Sequence, residues 1–108
     1  MTLSEILVRC RGLQVHEVRN ENADYYEIVI YNSEVDRWCD ALAGVLGPAR
    51  KPRGVEPTEA DLLLTEDSGG IRVNQTLFEK KFQRGTIVAK FWPWEDNIHT
   101  TLKMALLD

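Results

Sequence analysis

Apolar and polar residues along the chain change period several times, and those changes predict the elements. The clearest alternation is GTIVAKFW, residues 85–92. In an extended chain Ile87, Ala89 and Phe91 fall on one side and Val88, Lys90 and Trp92 on the other. Both rows are largely apolar, which predicts a strand with neighbours on both edges. Pro93 lacks a backbone donor, so the ladder is expected to end near Trp92. YYEIVIY, residues 25–31, is rich in aromatic and β-branched residues and predicts a second strand. LQVHEVR, residues 13–19, alternates, and NENAD between them has turn composition, so residues 13–31 are expected to form a hairpin.

Helical spacing takes over elsewhere. Val35, Trp38, Cys39, Leu42, Val45 and Leu46 follow i, i+3, i+4, i+7, predicting an amphipathic helix over 34–46. Ser33 is the expected cap with Asp36 at the third helical position, and Gly47-Pro48 the stop. Thr2 and Glu5 have capping-box spacing, and Leu3, Ile6, Leu7 and Cys10 make a short helix over about 3–11, although a strand also fits ILV. In the last segment Asp96 or Asn97 is a candidate cap, and Ile98, Leu102, Ala105 and Leu106 form a helical stripe.

Two segments read either way. DLLLTE, residues 61–66, is a helix started by Thr58 or a short buried strand. NQTLFEKKFQRG, residues 74–85, is a helix capped by Asn74, or a strand entering a hairpin turn at Arg84-Gly85. Either choice gives one α+β domain over 1–108, a two-layer sandwich with an antiparallel sheet and helices mainly on one face. A strand at 61–66 with a helix at 75–84 would make the order from Tyr25 ferredoxin-like. The opposite choice adds a 76–92 hairpin to the 13–31 hairpin. Residues 48–60 hold three of the four prolines and are expected to be an exposed loop.

Composition narrows the classes. The 108 residues suffice for one modest core, and no apolar run approaches a bilayer span. MTLSEILVRCRG lacks a basic n-region and a cleavage site, so a signal peptide is not expected. A net charge of -4 argues against general nucleic-acid binding. The basic cluster Arg50, Lys51, Arg53 is followed by acids and reads as a solvated loop. Cys10 and Cys39 have no CxxC spacing, which points to a reduced, cytoplasmic setting and two small hydrophobes.

Candidate chemistry is sparse. Trp92-Pro93-Trp94 can place two indoles on one face across the proline, as a ligand-stacking wall or a dimer contact. The competing reading has both rings covering the end of the core against a C-terminal helix. Gly69-Gly70 after Ser68, with Arg72, can cradle an anion; the simpler reading is a tight turn. His16 with Glu17, or His99 with Asp96, can bind metal or move protons, but neither has repeated ligand spacing. Cys39 near either histidine would be a nucleophile, yet it follows Trp38 on an apolar stripe where a thiol is inert. The expectation is a binding or assembly module without cofactor or metal, associating with itself or a protein partner, with Trp92, Trp94, Arg72, Gly69 and Gly70 as candidate contacts. The alternative is a small enzyme, or a domain binding an anion or other small molecule between sheet and helix.

Overall fold

The computed structural model describes residues 2–107. Among them, five strands form one antiparallel sheet: β1 (Glu17–Glu21), β2 (Tyr25–Tyr31), β3 (Thr76–Phe82), β4 (Gly85–Pro93) and β5 (His99–Leu107). Their spatial order is β1-β2-β5-β4-β3. Two hairpins, β1–β2 and β3–β4, flank β5, which pairs with β2 on one side and β4 on the other. The helices are α1 (Leu3–Arg9), α2 (Val35–Leu46) and α3 (Glu59–Thr65), with single 3-10 turns at Asn32–Glu34 and Glu66–Ser68.

The two-layer α+β sandwich follows from which faces are apolar. Leu3, Ile6 and Cys10 near α1 and Trp38, Leu42, Val45 and Leu46 on α2 close over Ile28, Ile30, Ile87, Phe91, Leu102 and Met104 of the sheet. The Trp38 indole donates to the Gln14 carbonyl at 3.1 Å, so the largest core side chain also has its polar atom satisfied. Thr2 and Glu5 form the expected capping box on α1. At α2 the expected Ser33 cap is not used. The 3-10 turn at 32–34 leads in, Glu34 takes the cap position without a side-chain bond, and the helix stops at Gly47 with φ 81°.

One expectation changes and two open readings are decided. The C-terminal segment is a strand, because the sheet leaves a slot between β2 and β4 that a helix cannot fill. Thr100, Leu102 and Met104 face the helices, while Thr101, Lys103 and Ala105 face away. Residues apolar on both faces of a central strand also satisfy an i, i+4 stripe, hence the helical reading. Second, 61–66 is mostly helix, started by a capping box in which Thr58 and Asp61 exchange bonds of 3.1 and 2.9 Å. Third, residues 76–82 form a strand, so the order from Tyr25 is strand, helix, helix, strand, strand, strand. That is the two-hairpin alternative, and the ferredoxin-like order does not describe it. The first strand also begins later, at Glu17, and all its residues are exposed. Its ladder shifts register between Val18 and Asn20, and its charges discourage pairing with another edge.

The far face of the sheet is only partly covered. The chain leaves α2, pairs Lys51 with Leu77 beside the β3 edge, and lays α3 and the Gly69-Gly70 turn over β4. No helix among the described residues is long and apolar enough to cross a membrane.

Candidate functional site on the open sheet face

Cross-strand register builds this site. Lys90 on β4 lies opposite Lys103 on β5, which lies opposite Glu27 on β2. The row on one side is Val88, Ala105 and Tyr25; on the other it is Trp92, Thr101 and Val29. Directly opposed residues share a face, so all of these project away from the α1–α2 layer.

Above the sheet, α3 and the turn after it form a wall. Gly69 and Gly70 have φ of 92° and 78°. A side chain at Gly69 would approach Lys90 Nζ to 3.8 Å and Trp92 Cζ3 to 3.9 Å. Lys90 Nζ donates to the carbonyls of Ser68 at 2.6 Å and Gly70 at 2.8 Å, tying the turn to the sheet. The Gly70 amide is itself engaged with the Thr65 carbonyl at 2.8 Å. The turn therefore presents carbonyl oxygens to a lysine of its own chain, the reverse of an anion-cradling nest. Arg72 is exposed and set by its backbone, whose amide donates to Gln75 Oε1 at 3.0 Å.

Between wall and sheet runs a groove of about 410 Å³ lined by Tyr25, Leu64, Asp67, Gly69, Val88, Lys103, Ala105 and Leu107. Lys103 is half-buried, with Nζ 5.0 Å from the Trp92 ring centroid. Lys90 Nζ lies 5.5 Å from the same ring. Among the described residues, Lys103 Nζ has no hydrogen bond or ion pair (the near carboxylate, Glu27, accepts from Tyr25 Oη at 2.6 Å). Burial, then that carboxylate, pushes the Tyr25 hydroxyl upward.

Burial first, and the neighbouring Lys103 charge second, bring the Lys90 ammonium down to about 8. The folded chain thus releases this proton before the unfolded chain, whose lysine titrates near 10.5. Between those values the unfolded state binds more protons, so this group makes stability rise with pH from about 8 to 10.5. In a ¹³C NMR titration, one lysine Cε resonance should move near pH 8 and vanish in Lys90→Met. Titration of Lys90 together with exposed lysines would remove burial as the governing term.

A second cluster adjoins the groove. Trp94 Nε1 donates to Thr101 Oγ1 at 2.7 Å, which puts Trp94 on the same face as Trp92, as the period of two predicts. Its ring lies 4.9 Å from His99, which lies 4.9 Å from His16 and 5.3 Å from Tyr31. Arg19 covers Trp94 at 5.2 Å. Asp96 holds His99 at 2.6 Å through Nδ1. That bond, with the amides of His99 and Ile98, lowers the Asp96 carboxyl to about 2. Among the described residues, no group of three or more His, Cys, Asp or Glu is placed to hold a metal ion.

The structure thus brings Trp92, Gly69 and Gly70 together around Lys90, sets Trp94 beside His99, and leaves Arg72 outside. The tryptophans meet β5 where a C-terminal helix was expected. Sequence reading missed Lys103 and Tyr25 as groove residues. The usable signal was the alternation in TTLKMALL, which places Lys103 among apolar and threonine positions of a strand. Comparison adds no relative: no protein-family model, curated protein or solved structure matches the chain.

Proposed function

We propose that this chain is a non-catalytic module that binds a small molecule in the groove between α3 and the sheet. One observation carries the reading: a groove of about 410 Å³ has an apolar floor and a lysine unpaired among the described residues. Such concave, mainly apolar sites with few polar anchors are the usual form of ligand pockets. The reactive groups elsewhere support a role without catalysis. Burial, then Asp36 and Asp40, raises the Cys39 thiol to about 11, and burial raises Cys10. Both therefore stay protonated near neutrality and are poor nucleophiles.

Assembly through the neighbouring aromatic patch is the second reading. It is favoured by Tyr31 and Ile98, which are 39% and 53% exposed beside half-buried Trp94. Native mass spectrometry of freshly purified protein separates the two. The groove reading expects a 12.4 kDa chain carrying a small adduct that denaturation releases. Twice the chain mass with no adduct would favour assembly. A bare monomer would count against assembly and show that no groove ligand stays bound through purification.

A further inference from the structure

We infer that the groove takes an organic monocarboxylate with an apolar body, its head group on Lys103 and its body on Val88, Ala105 and Leu107. This rests on the small-molecule-binding reading above. Size sets the first limit. A volume of about 410 Å³ lies at the small end of the roughly 300–1,000 Å³ usual for ligand clefts, which suits an aryl-alkyl or medium-chain acid. The floor sets the second. Val88 and Ala105 are direct cross-strand partners and, with Leu64 and Leu107, offer no hydrogen-bonding side chain to a polar body.

Charge decides the head group. Lys103 Nζ is the cation at the groove without a hydrogen-bond or ion-pair partner among the described residues, and the Trp92 face holds it in position at 5.0 Å. The ammonium of Lys90 behind it strengthens the local positive field while its own contacts go to Ser68 and Gly70. A carboxylate brought to Lys103 forms a charge-assisted bond that neither partner makes in the free protein. Polyanions fit poorly. Asp67 stands on the wall, Glu27 lies across from Lys103, and the turn shows Lys90 its carbonyls instead of amides. Lys103 and Lys90 stand against Asp67 and Glu27, so the groove is near charge balance and its one uncommitted cation has room for a single carboxylate, while a second negative charge would have no partner. Tyr25 contributes its ring, since its hydroxyl is committed to Glu27.

The test is a ¹H–¹⁵N NMR titration of the whole chain with 4-phenylbutyrate, 4-phenylbutan-1-ol and 4-phenylbutylamine. The acid is expected to move the amides of Gly69, Val88, Lys103 and Ala105 and to bind at least about tenfold tighter than the alcohol, the scale of one charge-assisted bond. Lys103→Met should abolish that preference with an unchanged melting temperature, and Lys103→Arg should retain it. If the alcohol or amine binds the groove as well as the acid, the carboxylate assignment falls and the groove stands as a binding site. If Lys103→Met keeps the preference, Lys103 is not the anchor and the inference fails. If none of the three moves groove resonances, both the inference and the reading beneath it lose their ground.

Discussion

Replacing Lys51 by methionine should destabilise the fold by about 3 kcal/mol, although this lysine lies in a proline-rich loop. It is 1% exposed. Its Nζ donates to the carbonyls of Pro52 at 2.9 Å, Val73 at 3.1 Å and Gln75 at 2.6 Å. Each bond to a charged group contributes about 1.5–3 kcal/mol, and the buried Gln75 carbonyl left without this donor costs about 1–3 kcal/mol, whereas the Pro52 and Val73 carbonyls keep the amides of Val55 at 3.3 Å and Gly54 at 2.7 Å. Relief from desolvating an ammonium offsets part of that sum, so the net loss is well below three full bonds. Burial is also the leading reason that the Lys51 ammonium lies below its ordinary value. Lys51 also joins the sheet through its backbone, exchanging bonds of 3.2 and 2.9 Å with Leu77, and methionine keeps these. Urea unfolding midpoints measure the side-chain contribution alone. A midpoint within error of the parent would mean that another donor replaces the ammonium at the Gln75 carbonyl.

Gly85→Ala should cost a similar amount, about 3 kcal/mol, for a steric reason. Gly85 opens β4 at φ 145°, where a side chain is strained. A Cβ there would also collide with the Leu107 carbonyl oxygen and come within 3.3 Å of Leu106 Cδ1. Leu107 is paired with Thr86 and Leu106 with Ile87 of β4, and the Leu106 amide donates to the Asp24 carbonyl at 2.8 Å, so this end of β5 yields only by disturbing those bonds. Gly44→Ala provides the opposite control. It lies in α2 with nothing within 4 Å of its Cβ position, and should gain about 0.5–1 kcal/mol from helix propensity. Thermal melts of the two variants should therefore move in opposite directions. A neutral Gly85→Ala would show that the β3–β4 turn relaxes freely.

The shared face of Trp92 and Trp94 follows from the two-residue period across Pro93 and needs no tertiary information. Gly69 and Gly70 were legible as a turn, but the oxygen atoms they present depend on where Lys90 arrives from β4. Lys103 was hidden because its segment satisfies two periods at once, and only the slot between β2 and β4 chooses between them. Arg50 shows the same limit. In sequence it belongs to a solvated basic cluster, yet it bridges Asp61 and Glu79 at 2.6 Å each, linking α3 to β3. The linear order contains no record of that meeting, since Glu79 is 29 residues away.

Local rules were legible in the sequence: the capped α1, the amphipathic α2 with its stop at Gly47, the β2 and β4 strands, the turn glycines and the α+β class. These depend on period, caps and backbone permissiveness within a few residues. Tertiary structure alone decided that residues 99–107 are a central strand, that 59–65 coil and 76–82 extend, and that Lys51 is buried. Short apolar segments lie near balance between helix and strand, and long-range pairing supplies the larger energy. It likewise decided the groove, whose floor comes from β2, β4 and β5 and whose wall comes from α3 and the turn after it. Only the assembled sheet brings those segments within reach of one ligand.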